Sequence, residues 1–311
     1  MPLTKAEASW ASGINAQCRG DKSPDGAPAA RCLAQGEGWS VSEYVCTAGP
    51  TDRPFEERHE QVTVAAVLEG SFQYRTGTGQ AILSPGALLL GNFGSCYECG
   101  HDHGRGDRCI ALQFAPDYFS EVTASVAASG RFRFPIAMLP AVPRVVPWCV
   151  RMEAWALAPD LLEIEQSLPS LLEAVVRAVS GVTPSTLGVS ARDERRVAKA
   201  LRHIELHAQD ALNLDALADV TAMSKYHFLR TFRRVVGMTP YQFLLGVRMR
   251  RAAARLATSS MPISAIAYEA GFGDLSTFNG RFRDVFGMSP TAYRRHERAT
   301  SRRSYTRPLK H

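Results

Sequence analysis

The chain has 311 residues, of which 45% are hydrophobic, so its length favours two domains and its composition excludes a wholly disordered protein. No apolar run approaches the roughly 18 residues that span a membrane, and no signal peptide is recognisable, so we expect a cytoplasmic protein. The net charge of +6 is uneven, because residues 192–311 carry 22 basic and 10 acidic side chains, against 14 and 20 in residues 1–191. The basic end is predicted to bind a polyanion.

The amino-terminal half is predicted to consist of short β-strands. Residues 1–40 are rich in Gly, Pro, Ala and Ser without a hydrophobic period, and we expect them to be loose. Beyond them, turn residues separate short β-branched or alternating runs, which cover residues 62–68, 71–75, 80–83, 87–90 and 110–114. This pattern is typical of a small antiparallel barrel or sandwich.

The hydrophobic period becomes helical near residue 159. Apolar residues recur at helical spacing up to Val179, and Pro169 interrupts them, so we predict two helices over about 159–167 and 169–180. Their apolar stripe would either pack on the chain's own barrel or form a homodimer interface, and the sequence favours neither. The uncharged stretch GVTPSTLGVS that follows is typical of a linker.

A run of thiols and imidazoles lies in the segment CYECGHDHGRGDRC, residues 96–109. Its potential ligands for zinc or copper are Cys96, Cys99, His101, His103 and Cys109, with His59 as a further candidate. Two alternatives remain open. The close thiols would form a redox switch, or the segment is a polar hairpin with structural cysteines, in which case no cofactor is expected.

The strongest pattern is an internal repeat in the basic end. Residues 224–240 and 274–290 are identical at seven of 17 positions at an offset of 50. Each copy starts with an N-cap residue, places two phenylalanines four positions apart and ends at a glycine. A short helix and a tight turn precede each copy, so each is predicted to be a helix-turn-helix.

The segment between the two copies, residues 240–258, is predicted to be a helix. Nineteen helical residues span about 28 Å, which is close to one turn of DNA at about 34–36 Å. A helix of this length would set two recognition helices into successive segments of the major groove.

Residues 193–298 resemble the DNA-binding domain of the AraC/XylS family of transcription regulators. The residues that carry the resemblance are IELHAQDALNLDALADVTAMSKYHFLRTFRRVVGMTPYQFLLGVRMRRAAARLA and ISAIAYEAGFGDLSTFNGRFRDVFGMSPTAYRR. The resemblance implies seven helices, of which the third and sixth enter adjacent major grooves. The strand spacing and the turn SPGALLLG are similar, more weakly, to a cupin-like sensor domain of such regulators.

These resemblances imply a multidomain fold, with an all-β cupin-like barrel plus a helical segment before an all-α double helix-turn-helix. The expected order is a loose segment 1–40, a sensor barrel 41–158, a helical dimerisation or relay segment 159–181, a linker 182–192, a DNA-binding domain 193–298 and a basic, disordered tail 299–311.

The family resemblance also implies which side chains touch DNA. Tyr226, Leu229 and Arg230 would face bases from the first recognition helix. Ser276, Thr277 and Asn279 would do so from the second. The complete expected set is Ser224, Lys225, Tyr226, His227, Leu229, Arg230, Arg234, Asp274, Ser276, Thr277, Asn279 and Arg281. Two positions depart from the family pattern, because Gly280 replaces a frequent arginine and Ala222 replaces a frequent glycine.

We therefore expect a transcription regulator without catalytic residues, which binds promoter DNA as a homodimer and responds to a signal in its amino-terminal domain. The signal would be a metal held by residues 96–109, thiol oxidation or a small organic effector. Such a regulator could also contact RNA polymerase. The remote alternative is a metal-dependent cupin enzyme, with His59, His101 and His103 as ligands, fused to a DNA-binding module.

Overall fold

The structure, a computed structural model, describes residues 29–52, 54–101, 106–124, 132–180 and 190–305. It divides the chain into two compact units. The first unit comprises residues 1–139 and 152–186, and the second comprises residues 140–151 and 187–311. No helix in the described ranges combines the length and the apolar character that crossing a membrane requires.

The first unit contains two antiparallel sheets. The strands are β1 Ala29–Gly36, β2 Trp39–Cys46, β3 Phe55–Arg58, β4 Val62–Gly70, β5 Phe72–Thr76, β6 Gly79–Leu83, β7 Leu88–Gly91, β8 Cys96–Gly100, β9 Asp107–Phe114 and β10 Met138–Leu139. One sheet has the order β1-β2-β9-β4-β7-β10, and the other has the order β3-β8-β5-β6. The predicted sheet-rich domain is confirmed, but the described strands form two sheets and not one closed barrel.

One buried cluster joins the two sheets. Val67 and Cys109 come from the larger sheet, and Tyr74 and Cys99 come from the smaller one. Successive side chains of a strand point to opposite faces, so Asp107, Cys109 and every second residue after them in β9 share the face that meets this core. The interior between the sheets therefore receives thiols from both.

Strand β1 corrects the prediction that residues 1–40 are loose, of which residues 1–28 lie outside the described ranges. Its sequence AARCLAQG lacks the β-branched residues that mark a strand, so the pairing with β2 and not local propensity forms it. Arg31 Nε donates to Glu43 Oε2 over 2.8 Å, and Arg108 Nε of β9 donates to the other oxygen of Glu43 over 2.7 Å. Glu43 of β2 thus binds an arginine from each of β1 and β9, and these contacts fasten the edge strand β1 to the sheet.

Three helices follow strand β9 along the chain within the described ranges up to residue 180. They are α1 Pro116–Thr123, α2 Val146–Leu157, which crosses the boundary between the units, and α3 Leu161–Ser180. The prediction of two helices around Pro169 is wrong, because α3 runs through it without a break. Leu168, Leu172 and Val175 are buried, and α3 packs on α1 and β1. Burial of this stripe offsets the lost hydrogen bond at the proline.

The second unit is helical beyond residue 190. Its helices there are α4 Ala191–Leu206, α5 Leu214–Thr221, α6 Lys225–Val236, α7 Pro240–Thr258, α8 Ile263–Glu269, α9 Leu275–Phe286 and α10 Pro290–Tyr305. The predicted double helix-turn-helix is confirmed, with α5–α6 and α8–α9 as its two copies and α7 between them. The basic tail is not disordered throughout, because α10 continues to Tyr305.

Candidate nucleic-acid interface and a buried thiol–histidine cluster

The first helix-turn-helix is fixed by its caps. Ser224 Oγ accepts a hydrogen bond from the His227 backbone N–H, which starts α6, and Gly237 ends it at φ 79°. Ala222 forms the turn before α6 in the left-handed conformation, at φ 49° and ψ 49°. It is the one non-glycine residue with a positive φ in the described ranges. The departure from glycine at this position therefore places a strained residue in the turn.

The second copy repeats this construction. Asp274 Oδ1 accepts a hydrogen bond of 2.7 Å from the Thr277 backbone N–H at the start of α9, and Gly287 ends the helix at φ 71°. Hydrogen bonds from the backbone N–H and the side chain of Thr277 lower the pKa of Asp274. Ser224 and Asp274 thus act as N-caps, which sequence analysis had also placed in the DNA-contact set.

Helix α6 has one buried face and one exposed face. Phe228 and Phe232 are fully buried and meet edge to face, with ring centroids 5.5 Å apart. Tyr226 is 87% exposed, and Arg230 is exposed one turn further on. His227 and Leu229 are partly buried, Arg234 is exposed, and Lys225 forms an ion pair with Asp215.

Helix α9 presents a different surface in the equivalent place. Phe278 and Phe282 are buried, whereas Ser276 and Thr277 are exposed and Asn279 is partly buried. A side chain at Gly280 would point into open space. Arg281 is exposed and lies 3.8 Å from Asp284. The structure therefore presents most of both predicted contact sets to solvent, with arginine at the centre of the first and small polar groups in the second.

Arg248 of α7 joins the two helix-turn-helix copies. Its guanidinium donates to the carbonyl oxygens of Ala208, at 2.7 Å, and Asp210, at 2.9 Å, just before the first copy. The same group lies 5.8 Å from the ring centroid of Phe272, in the turn of the second copy.

The predicted metal ligands of the first unit separate into different environments. Cys96 and Cys99 are three residues apart in strand β8, so they point to opposite faces, and Cys96 is exposed whereas Cys99 is buried. Cys109 is also buried. His103 lies outside the described residues. The C-x-x-C pair is therefore not a chelating pair in this strand.

His59 belongs to a separate aromatic cluster. Its Nε2 lies 2.7 Å from Tyr74 Oη, and its ring stacks on Tyr97 with centroids 4.2 Å apart. Burial lowers the pKa of His59 to about 4, so the imidazole is neutral at physiological pH. These contacts occupy the ring that sequence analysis had offered as an additional metal ligand.

The structure instead brings Cys46, His101 and Asp107 together. Their potential ligand atoms all lie within 4.8 Å of one another, and no other such group occurs among the described residues. His101 Nε2 lies 2.6 Å from Asp107 Oδ1. Burial opposes the charged imidazolium, but hydrogen bonds to Asp107 and Cys46 outweigh it and raise the pKa of His101 to about 9.

Two further thiols border this group. Cys109 Sγ donates to Asp107 Oδ2 over 3.2 Å. Burial, reinforced by the negative charge of Asp107, raises the pKa of the Cys99 and Cys109 thiols. Sequence analysis missed Cys46, because it lies far from residues 96–109 along the chain and only the sheet register brings it near them.

The two helix-turn-helix copies, each with one exposed helix face, have the architecture of a DNA-binding domain. Residues 217–296 match the family model described as a helix-turn-helix domain. The chain is 32% identical over 98 residues to the HTH-type transcriptional activator AarP of Providencia stuartii, which covers 73% of AarP. The chain belongs to the AraC/XylS family of transcription regulators.

Other relatives match to different extents. The chain is 34% identical over 91 residues to the probable transcriptional regulator LumQ of Photobacterium leiognathi, and it spans only 37% of that protein. It is 28% identical over 230 residues to the uncharacterized HTH-type transcriptional regulator YbfI of Bacillus subtilis, with 70% of this chain and 78% of YbfI covered. The solved DNA-binding domain of AdpA in complex with a target DNA is 31% identical, covers 34% of this chain and 95% of its own, and has a TM-score of 0.33.

Proposed function

We propose that this regulator reads two adjacent DNA sub-sites, one through α6 and one through α9, and that its first unit receives the regulating signal. The observation that carries the proposal is the repeated construction of the two helices. Each has a capped start, a buried phenylalanine pair and an exposed face opposite that pair. The connecting helix α7 has 19 residues, and its length of about 28 Å suits successive major-groove segments.

The two helices would recognise bases through different side-chain chemistry. Arg230 of α6 is exposed and suits a bidentate contact to guanine, which is worth about 1–3 kcal/mol of discrimination. Asn279 of α9 suits a bidentate contact to adenine, with Ser276 and Thr277 beside it. Lys225 and His227 at the start of α6, and Arg234 and Arg281 further along, would contact phosphate.

The signal would act on the interior of the first unit. A ligand regulates only if it binds two conformations of the protein unequally, and a buried polar cluster between two sheets gives it such a difference. Thiol oxidation is the second candidate signal, and the exposed Cys96 favours it. A metal-dependent enzyme has less support, because His59 contacts Tyr74 and does not belong to the group around His101.

We further propose that the regulator acts as a homodimer. Leu157, Leu161 and Leu162 lie at the corner between α2 and α3 with exposed fractions of 72%, 54% and 50%. Exposed leucines grouped at one corner are typical of an interaction surface, and the partner that we propose is a second copy of the chain. Contact with RNA polymerase would follow once the dimer is bound at a promoter.

Selection of binding sites from a random duplex library tests the proposal. The full chain should enrich a site with two short specified segments about one helical turn apart. Arg230→Ala should relax base preference in one segment, whereas Arg255→Met, an exposed arginine of α7, should leave both preferences intact. Enrichment of no sequence, or of a single contiguous segment that Arg230→Ala leaves unchanged, would contradict it.

A further inference from the structure

We propose that the first unit binds a single zinc-like divalent ion through Cys46, His101 and Asp107. This inference rests on the proposed function, and it names the chemical class of the ligand that the first unit receives. These three ligands differ from those that the sequence of residues 96–109 suggested. They keep only His101 and add a thiol from β2, far along the chain.

The sheet register brings the three residues together. Cys46 ends β2, Asp107 begins β9, and the two are directly paired across the antiparallel ladder. His101 follows immediately after β8, a strand of the other sheet. The ion would therefore sit at one end of the interior and link both sheets. Cys46 and His101 are buried, and the Asp107 side chain is only 9% exposed.

The donor set suits zinc. A thiolate, an imidazole nitrogen and a carboxylate oxygen are the three ligand types that zinc takes in proteins, at about 2.0–2.3 Å from the ion. Tetrahedral ligands at those distances lie about 3.3–3.8 Å apart, and the present atoms are already within 4.8 Å of one another. Small side-chain adjustments therefore suffice to form the site. Three protein ligands leave a fourth position for water or a small anion.

The surrounding backbone and side chains support this arrangement. Gly106 has φ 65°, and its N–H donates to Ala48 O over 2.8 Å, which holds the end of β2 beside the start of β9. A Cβ atom at Gly106 would lie 2.6 Å from the carbonyl oxygen of Cys46. Cys109 Sγ donates to Asp107 Oδ2 and would orient this carboxylate, as groups hydrogen-bonded to metal ligands commonly do.

Metal binding would couple to the rest of the unit through the strands. Two of the ligands flank the connection between β8 and β9, and the third lies on β2. An ion would fix these three strand ends against one another. Regulation requires that the ion bind two conformations unequally, and an ion held by these three residues would favour the conformation in which the strand ends lie together.

Titration with zinc and cobalt tests the inference on the full chain. Purified, reduced and metal-free protein should bind about one zinc ion, and cobalt should give thiolate-to-metal charge-transfer absorption. Cys46→Ser should abolish that absorption, and Asp107→Asn should weaken zinc affinity by at least about 10-fold, since even the loss of a group hydrogen-bonded to a metal ligand costs about 10–100-fold. Cys96→Ser is the matched control, because it removes an exposed thiol of β8 that does not belong to this group, and it should bind zinc as the unchanged protein does.

The outcomes distinguish failure of the proposed zinc site from failure of the proposed DNA-binding function. Zinc binding by Cys46→Ser with unchanged affinity, or loss of binding in Cys96→Ser, would overturn the site. Circular dichroism and thermal melting of each variant report that it is folded, and affinity for the selected DNA is measured on the same samples. Zinc bound as predicted with DNA affinity unchanged would support the site and contradict its regulatory role. Absence of DNA binding by every sample, with zinc still bound, would contradict only the proposed function.

Discussion

At the scale of single residues, the conformation of Ala222 bears on the stability of the first helix-turn-helix. It adopts φ 49° in the turn before α6, where the second copy has Gly271 at φ 90°. The left-handed conformation costs an alanine about 1 kcal/mol, and glycine does not pay that cost. The family pattern alone identified this position, and the structure supplies the conformation that explains it.

We predict that Ala222→Gly raises the free energy of unfolding of the second unit by about 0.5–1 kcal/mol, because strain relief exceeds the added freedom of the unfolded chain. Gly287→Ala is the reverse control, because it introduces an alanine at a left-handed position that glycine occupies. Its φ is 71° and an added Cβ meets nothing within 4 Å, so it should destabilise by about 1 kcal/mol through backbone strain alone. Chemical denaturation measures both changes, and equal signs for the two variants would refute the argument.

Glu205 of α4 is the residue that should make stability depend on pH. Its Oε1 is buried and finds no hydrogen-bond partner in the part of the chain that the structure describes. Burial raises the pKa of Glu205 from 4.5 to about 7, although Arg250, Arg251 and Arg202 oppose the change. The folded state therefore holds a proton that the unfolded state releases, and stability falls as pH rises from about 4.5 to 7.

Glu205→Gln should remove this dependence. The variant should match the unchanged protein near pH 4.5 and be more stable by about 1–3 kcal/mol at pH 8. Glu269→Gln, which removes an exposed carboxylate from the same unit, controls for net charge. Thermal melting followed by circular dichroism between pH 4.5 and 8 gives the comparison. A stability difference that shrinks as pH rises would contradict this assignment.

At the scale of elements, the two recognition helices share a construction and differ in charge. The position that carries Arg230 in α6 carries Gly280 in α9, with open space where a side chain would extend. Glycine within a helix also lowers its stability by about 1 kcal/mol relative to alanine. The second helix is therefore expected to contribute less to affinity than the first.

We predict that Gly280→Arg strengthens DNA binding several-fold and steepens its salt dependence by about one unit of slope, because it adds one cation at the interface. Gly280→Ala separates the charge from helix stability, and it should raise the melting temperature without changing the salt slope. Fluorescence anisotropy over a range of salt concentrations measures both. If the salt slope of Gly280→Arg equals that of Gly280→Ala, this face of α9 does not lie near DNA.

The sequence predicted the helical unit more completely than the sheet unit, for a physical reason. Caps, turns and phenylalanine spacing lie within 17 residues in each helical copy, so local rules determine them. Cys46 reaches Asp107 only through the register of β2 and β9, which no local pattern reveals. The thiols of Cys96 and Cys99 suggested a chelating loop, but a strand alternates its faces and separates them. Pro169 suggested a break, but tertiary burial of α3 outweighs its local cost.

At the scale of the whole molecule, the oligomeric state determines how many DNA sub-sites are bound together. The apolar stripe of α3 is buried within its own unit, and the exposed leucines at the α2–α3 corner are the dimer contact that we propose. We predict that Leu161→Glu with Leu162→Glu converts a dimer into a monomer, because paired copies would bury four like charges. Sedimentation velocity tests this, with Glu173→Gln on the same helix as control. A double variant that remains dimeric would exclude this corner as the interface.

The central claim is that α6 and α9 read separate segments of one DNA site. The most direct measurement repeats binding-site selection with Arg230→Ala and with Asn279→Ala, using the unchanged chain as reference. We predict that each variant loses base preference in one segment only, and that the two segments differ and lie about one helical turn apart. Loss of preference in the same segment for both variants, or in neither, would contradict the account.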